Sequence, residues 1–165
     1  MVLGEEELLK NGVLRVAELM AVAAKTAPKA KGIDNIEVRV LAEKEELEKL
    51  ARKMEEMAEE LGEFFKRDAQ NIRDSHAVVL VGAKRVRMNL KTPPDYTLDI
   101  DTVMELINLG IALGSAAKTA SIHNVDNRIM YSAGLAAQRM KLIDAEYVIA
   151  IPLSAKAKNI YFDRK

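Results

Sequence analysis

The feature that most constrains this chain is a long apolar helix built largely from small residues. The hydrophobic spacing predicts a helix from Thr102 to about Ile122. Small side chains let a second helix approach closely, and a helix that is apolar nearly all the way round needs cover on every side. The cover is either the core of one subunit or a second copy of the chain, and we favour a homodimer because one modest domain supplies little cover. The small residues between 108 and 120 are Gly110, Ala112, Gly114, Ser115, Ala116, Ala117 and Ala120.

Length and charge limit the classes of protein to consider. The 165 residues predict a single domain, 1–165, long enough to bury a core. The formal net charge is +0, with 25 basic and 25 acidic residues, which argues against a non-specific nucleic-acid binder. The chain begins with a Glu cluster and its longest apolar runs look too short to span a bilayer, so we expect a cytoplasmic protein without membrane contact. Lys and Glu pairing on helices weakly favours a thermophilic source.

The sequence lacks the residues that several kinds of chemistry require. The chain has no cysteine, which excludes disulfides, thiolate nucleophiles and an iron–sulfur cluster held by cysteine. Its two histidines stand in no metal-ligand spacing, so we expect no metal site. No dinucleotide-binding or P-loop glycine pattern is present, and no serine lies in a nucleophile elbow. The sequence therefore identifies no catalytic residue.

The order of the predicted elements indicates an α+β fold. Helices and strands alternate along the chain, which predicts an α/β sandwich whose central mixed sheet has about four strands. A capping box at Thr102–Glu105 is expected to begin the long helix. Asp126 or Asn127 is expected to cap the next helix, which ends near Met140, and Pro152 to stop the last strand. The other predicted helices are 5–27, 43–61 and 63–75; the predicted strands are 36–41, 77–81, 146–153 and a basic edge strand at 85–90.

Three lysines gather where the first helix ends at Pro28. Lys25, Lys29 and Lys31 suit the negative end of a helix dipole, and this electrostatic role is the interpretation we favour. A binding site for an anion is the alternative.

A polar cluster interrupts the apolar C-terminal part of the chain. It comprises His123, Asn124, Asp126, Asn127 and Arg128. Asn and Asp suit the turn between two helices, where Arg128 would pair with Asp126. The alternative is a ligand pocket between those helices.

The basic C-terminal tail follows the last strand. Lys156, Lys158 and Arg164 lie where sheets of this class often bind ligands, so a phosphate group would explain their charge. A solvated terminus explains it as well. Phe162, close to the end, indicates that the tail docks on the rest of the protein.

Six segments spread along the chain are informative together: 23–35, 65–69, 109–115, 124–131, 151–154 and Lys158-Asn159. Through them, nearly the whole chain resembles a family of uncharacterised prokaryotic proteins described as containing a ferredoxin domain. Members of that family usually carry a cysteine cluster between the second strand and the long helix, where this chain has Arg85–Ile100 and no cysteine.

The element order is also similar to the nitroreductase-like flavoproteins. The segment 23–32 stands where those proteins have a proline-containing turn after the first helix, and 101–114 resembles their long central helix, with Asn108 at its Asn-Leu position. The resemblance implies an intertwined homodimer that binds FMN at the subunit interface, with the flavin ring near the turn and the central helix. It implies that Asn35 and Asn108 lie near the ring. The phosphate contacts would have to come from Lys25, Lys29, Lys31, Lys156, Lys158 or Arg164.

This chain departs from the flavoprotein pattern in two places. The arginine-rich segment before the first helix is missing, with only Lys10 and Arg15 nearby, and Lys29 replaces the serine after Pro28. Two hypotheses follow. One is an FMN-dependent oxidoreductase of nitroreductase type; the other is a dimeric module that lost its redox centre and binds a partner or a small anionic ligand through residues 123–128.

Overall fold

A four-stranded sheet lies between two layers of helices. The computed structural model describes residues 2–163. The strands are β1 (Ile36–Leu41), β2 (Ala77–Ala83), β3 (Asp126–Asn127) and β4 (Tyr147–Ser154), in the spatial order β1-β2-β4-β3. The helices are α1 (Glu5–Thr26), α2 (Lys44–Leu61), α3 (Phe64–Arg73), α4 (Ile100–Ile122) and α5 (Tyr131–Arg139). The predicted α+β sandwich is therefore confirmed.

The two faces of the sheet are covered by different helices. Helices α1 and α4 cover one face, while α2, α3 and α5 cover the other. Alternate residues of β2 pack into the two cores: Val79 and Val81 face α1 and α4, whereas Val78 and Leu80 face the other layer of helices. Every residue of β2 is buried, as expected for a continuous apolar run covered on both sides.

The strand pairings are all antiparallel, which corrects the expectation of a mixed sheet. Two helices lie between β1 and β2, and they pack on each other. The chain therefore leaves the sheet along α2, returns along α3 and enters β2 at the end where it left β1. Leu41, the last residue of β1, accordingly lies opposite Val78 near the start of β2.

The predicted edge strand at 85–90 is wrong, because the chain leaves the sheet after Ala83. The backbone N–H groups of Val86 and Met88 donate to the side chains of Glu105 and Asp101 instead of to a neighbouring strand. Side-chain acceptors on α4 thus replace the ladder bonds that a strand would need.

The predicted boundaries around α4 and β3 also need correction. Asp99 caps α4, with its side chain accepting from the Thr102 N–H, so Thr102 lies inside the first turn. Asp126 and Asn127 cap no helix: they form β3 and pair with Ser154 and Leu153. Helix α5 begins only at Tyr131.

Strand β4 continues past Pro152 to Ser154, contrary to expectation. The Ala150 N–H donates to the Met130 carbonyl, on the side away from β2. Two residues later, Pro152 has its missing N–H on that same side, between the Met130 bridge and the short β3. The proline therefore removes no hydrogen bond to β2.

By length and composition alone, α4 could cross a membrane: it has 23 residues, and its most apolar window has a mean hydropathy of 1.3. This corrects the expectation that no stretch reaches that length. A core helix meets the same criteria, and here α4 packs along α1 and over the sheet.

Acidic pH is expected to weaken the contact between α2 and α3. Arg73 of α3 donates to Glu48 and Glu55 of α2, at 2.9 and 2.6 Å. The hydrogen bonds from Arg73 and Arg52 lower the pKa of Glu48 from 4.5 to about 2. A carboxylate whose pKa is lower in the folded state stabilises the fold above its unfolded pKa, and this contribution is lost as the pH falls through the folded pKa.

The stability from this cluster should therefore be constant at neutral pH and be lost between about pH 4.5 and about pH 2. We expect Arg73→Gln to remove that part of the pH dependence, measured as urea midpoints across this range. Lys53→Gln, which breaks an exposed pair within α2, is the control and should keep it. Parallel curves for wild type and Arg73→Gln would contradict the assignment.

Candidate functional site

Two buried asparagines hold the turn after α1 against α4. Asn108 of α4 donates from Nδ2 to Oδ1 of Asn35, at 2.9 Å, and its own Oδ1 accepts the Ala30 N–H, also at 2.9 Å. Asn35 donates in turn to the Lys84 carbonyl. Both amides are almost fully buried, and a buried amide is costly unless it is hydrogen-bonded. The pair therefore fixes the turn rather than presenting its amides to solvent.

The lysines at the end of α1 are engaged within the subunit. Lys29 donates to the carbonyls of Lys25 and Ala27, and only 8% of its side chain is exposed. Lys25 donates to the Ile36 carbonyl and pairs with Asp34. Burial of Asp34 opposes ionisation, but the hydrogen bonds from Lys25 and the Ile36 N–H outweigh it and lower the pKa of Asp34. This geometry supports the role at a helix terminus for Lys25 and Lys29.

Lys31 joins the same turn to the segment after β2. Its backbone has a φ of 54°, and its Nζ donates to the Met88 carbonyl at 2.8 Å. The turn is thus held from three sides, by α1, by α4 and by the 84–90 segment.

The tail lysines lie at the opposite end of the sheet. The register places Ile36 and Tyr147 at one end of β2, and Leu41 and Leu153 at the other. The eight residues of β4 separate the two ends by roughly 24 Å, at about 3.4 Å per residue. Within one subunit the predicted phosphate contacts therefore fall into two distant groups. Lys156 pairs with Asp74 and Lys158 with Asp163, while Arg164 lies outside the described residues.

The polar cluster at 123–128 spreads over several structures. His123 ends α4, Asn124 adopts a left-handed turn conformation with a φ of 56°, and Asp126 and Asn127 form β3. Arg128 pairs with Asp68 at 3.5 Å, not with Asp126 as the sequence suggested. His123 and Asn124 thus form a turn after α4, whereas Arg128 belongs to a different cluster.

A buried carboxylate on α3, which was not predicted from the sequence, organises that cluster. Asp68 accepts from Ser132 of α5 at 2.6 Å and from Arg67 at 2.9 Å, besides Arg128. Arg128 also donates to the Tyr161 carbonyl. The signal was present in the sequence: Asp68 lies among apolar residues at helical spacing, on the face of α3 that enters the core.

The tail docks through Tyr161 rather than Phe162. Tyr161 is 2% exposed and its hydroxyl lies 2.8 Å from that of Ser75, whereas Phe162 is 65% exposed. Burial of the Tyr161 hydroxyl raises its pKa. Docking itself was predicted correctly, but the residue was not.

A second missed feature is a pocket of about 420 Å³ beside the N-terminal turns of α4. Five of the six residues that line it are charged. The residues around it are Arg85, Val86, Arg87, Asp99, Asp101 and Glu105. Among residues 2–163, no group of three or more His, Cys, Asp or Glu is placed to hold a metal ion.

One relative matches this chain over nearly its whole length. An uncharacterized protein of Archaeoglobus fulgidus is 41% identical over 181 aligned positions, which cover 99% of this chain and 98% of the relative. Residues 100–164 match the model of the family described as "Uncharacterized protein containing a ferredoxin domain". This chain belongs to that family. The family's description notwithstanding, the 165 residues contain no cysteine to hold an iron–sulfur cluster.

This chain has the fold of the nitroreductase-like flavoproteins. A BluB-like flavoprotein from Clostridium difficile 630 has a TM-score of 0.56 and 17% identity, over all of this chain and 86% of its own. A nitroreductase family protein from Clostridium novyi NT has a TM-score of 0.59 and 12% identity, over 94% of this chain and 76% of its own. The NADPH:FMN oxidoreductase from Vibrio harveyi has a TM-score of 0.61 and 10% identity over 88% of this chain. The chain spans only 60% of that enzyme. At such identities the similarity establishes the fold alone.

Proposed function

We propose that two copies of this chain form a homodimer that binds FMN at the subunit interface and transfers electrons to a small acceptor, as an oxidoreductase of nitroreductase type. The observation that carries the proposal is the uncovered apolar face of α4. The fold of the chain supports flavin binding, because the structural neighbours include proteins named as flavoproteins and FMN oxidoreductases.

The small residues of α4 divide between two faces. Ala112, Ala116 and Ala120 are buried in the core shared with α1. Gly110 and Gly114 lie on the opposite face, where an added Cβ would meet nothing within 4 Å. The sequence offered core packing or a dimer interface as alternatives, and the helix supports both, one on each side.

The open face of α4 is apolar enough to need cover. Large apolar side chains surround the two glycines, and contiguous patches of this kind mark interaction sites. A second copy suits the face, because glycines on a two-fold axis allow the two helices to approach closely. The exposed apolar residues of α4 are Leu106, Ile107, Ile111 and Ile122.

A dimer also explains why the predicted cofactor residues lie at opposite ends of the sheet. One FMN within one subunit cannot contact both the turn beside Asn108 and the lysines after β4. An interfacial site would take the turn from one subunit and Lys156 and Lys158 from the other. Both lysines are substantially exposed, and their ion pairs with Asp74 and Asp163 are exposed pairs that a phosphate can replace.

The residues present fit FMN in part. Lys156 and Lys158 fit the phosphate, and the rigid turn fixed by Asn35 and Asn108 fits a wall beside the ring. Lys25 and Lys29 do not fit, because backbone carbonyls already occupy their ammonium groups. The flavin would supply hydride transfer, while this chain positions it and keeps water away.

The alternative is a dimeric module without redox activity. The hydrogen bonds from Lys25 and Lys29 to backbone carbonyls favour this alternative, because they engage the ammonium groups within the subunit. The missing arginine-rich segment favours it as well. The two proposals share the dimer and differ in flavin binding, so one spectrum separates them.

The dimer is tested by sedimentation of Ile107→Glu. Ile107 and Ile129 are both 48% exposed, but only Ile107 lies on α4. We expect Ile107→Glu to sediment as a monomer at micromolar concentration, because the charge would be buried in the interface, and Ile129→Glu to remain dimeric. A monomeric wild type would overturn both the dimer and an interfacial flavin site.

Flavin binding is tested by the visible absorption spectrum after addition of FMN and dialysis. We expect the wild type to retain flavin, and Lys156→Glu/Lys158→Glu to bind it at least about tenfold more weakly, because charge-assisted bonds contribute roughly 1.5–3 kcal/mol each. Lys49→Glu/Lys66→Glu, which alters exposed lysines of α2 and α3, is the control. A dimer that retains no flavin would leave the module as the function.

A further inference from the structure

The charged pocket beside α4 is bounded by a long irregular segment. Residues 84–99 connect β2 to α4 without a helix or strand beyond Ala83. Segments of this length without secondary structure are uncommon inside compact domains and are usually functional or disordered. This one is ordered by contacts to α4 and to Lys31, and it encloses a pocket of about 420 Å³.

The inner wall of the pocket contains an acceptor without a partner. Glu105 is 1% exposed; its Oε1 accepts the Val86 N–H at 2.7 Å, while its Oε2 is buried with no hydrogen-bond partner among the described residues. A buried polar atom without a hydrogen-bond partner destabilises the fold, and more so when the group is charged. A ligand ammonium group entering this pocket would meet an acceptor with no competing partner.

Two guanidinium groups, those of Arg85 and Arg87, also line this pocket. Arg85 and Arg87 lie on the exposed segment, and neither side chain forms a hydrogen bond or ion pair within the part of the chain that the structure describes. Free guanidinium groups bind carboxylates well, because their donors match the two carboxylate oxygens. The pocket therefore offers separate contacts for a positive and a negative group.

We propose that this pocket binds a small zwitterion, a molecule that carries an ammonium group and a carboxylate as a free α-amino acid does. The ammonium group contacts Glu105, with Asp101 beside it, and the carboxylate contacts Arg85 and Arg87. A metal ion fits less well, since two arginines repel it and the described carboxylates are not arranged to hold one. Glu105 would repel a simple anion, and the two arginines would repel a simple cation.

The proposal is independent of flavin. The pocket adjoins the turn fixed by Asn108, but neither Asn108 nor the lysines of the turn line it. Binding is therefore measured in flavin-free protein and again after addition of FMN, so that a failure of one proposal is distinguishable from a failure of the other.

The test begins with the melting temperature of the flavin-free protein in each of the twenty free L-amino acids. An amino acid at a hundredfold excess over its Kd should raise Tm by roughly 5–10 °C. For each one that does, calorimetric titration compares the free amino acid with its methyl ester, which lacks the carboxylate charge, and its N-acetyl form, which lacks the ammonium charge. We expect both derivatives to bind at least tenfold more weakly.

Two variants then locate the site. Glu105→Gln keeps an oxygen for the Val86 N–H, and Arg85→Gln/Arg87→Gln alters only exposed side chains; each should raise Kd at least tenfold. Lys49→Gln/Arg52→Gln on α2 is the control and should not change Kd. If Glu105→Gln does not fold, the arginine variant decides. The proposal is overturned if no amino acid raises Tm, if a derivative binds as tightly as the parent, or if the folded pocket variants keep the wild-type Kd.

Discussion

Replacing Gly134 by alanine is expected to lower the free energy of unfolding by at least about 3 kcal/mol, near the upper end for overpacked sites. Gly134 lies in α5 where this helix rests directly on β4. An added Cβ would lie 2.3 Å from the Val148 carbonyl oxygen and 2.5 Å from the Ile149 Cα. These neighbours are backbone atoms of a central strand, which no side-chain rotation can move aside. The helix would have to lift from the sheet and leave a gap in the core.

Gly12→Ala in α1 is the matched control for this substitution. An added Cβ at Gly12 would meet nothing within 4 Å, so alanine should stabilise the helix by about 0.5–1 kcal/mol. Urea denaturation of the two variants and the wild type measures both effects. Equal stability of Gly134→Ala and wild type would show that α5 does not rest on β4 as closely as described.

Replacing Asp68 by alanine is expected to lower the free energy of unfolding by about 1–3 kcal/mol, the usual effect of leaving a buried polar group without its partner. The substitution leaves Ser132 without its acceptor and Arg128 without its carboxylate. Because Arg128 also holds the Tyr161 carbonyl, the tail should become more accessible to proteases at the same time. Urea denaturation and limited proteolysis measure the two consequences.

Asp144→Ala is the control for the loss of a carboxylate. Asp144 also pairs with a cation, Lys84, but 93% of its side chain is exposed. Exposed pairs contribute at most about 1 kcal/mol, so stability and proteolysis should hardly change. If Asp68→Ala behaved like Asp144→Ala, Asp68 would not organise the contact between α3, α5 and the tail.

The Asp68 cluster bears on the proposed flavin site as well. Lys156 and Lys158 lie on the segment between β4 and Tyr161, so a tail released from Arg128 would hold them less firmly. Asp68→Ala should therefore weaken FMN binding even though Asp68 lies away from the phosphate. Wild-type flavin affinity in a folded Asp68→Ala protein would argue against the assignment of the tail lysines.

The elements that local sequence determines were predictable. Helix α2 shows a clear helical spacing of apolar residues and ends at Gly62, which has a φ of 117°. Strand β2 reads as a short apolar run, and its burial on both faces follows from that run. The order of such elements, together with the segments around Pro28 and Asn108, indicated the fold, because periodicity and turn residues act over short distances along the chain.

The site depended on contacts between residues far apart in sequence. Asn35 and Asn108 are 73 residues apart and Asp68 and Ser132 are 64 apart, and no local pattern states that either pair meets. The edge strand at 85–90 was wrong for the same reason: its alternation is real, but Glu105 and Asp101 accept its N–H groups. Local patterns therefore located most of the helices and strands, but not the irregular segment at 85–90 or the short strand β3. Which polar groups satisfy one another depends on long-range packing, and so does which lysines, carboxylates and guanidinium groups remain free to bind a ligand.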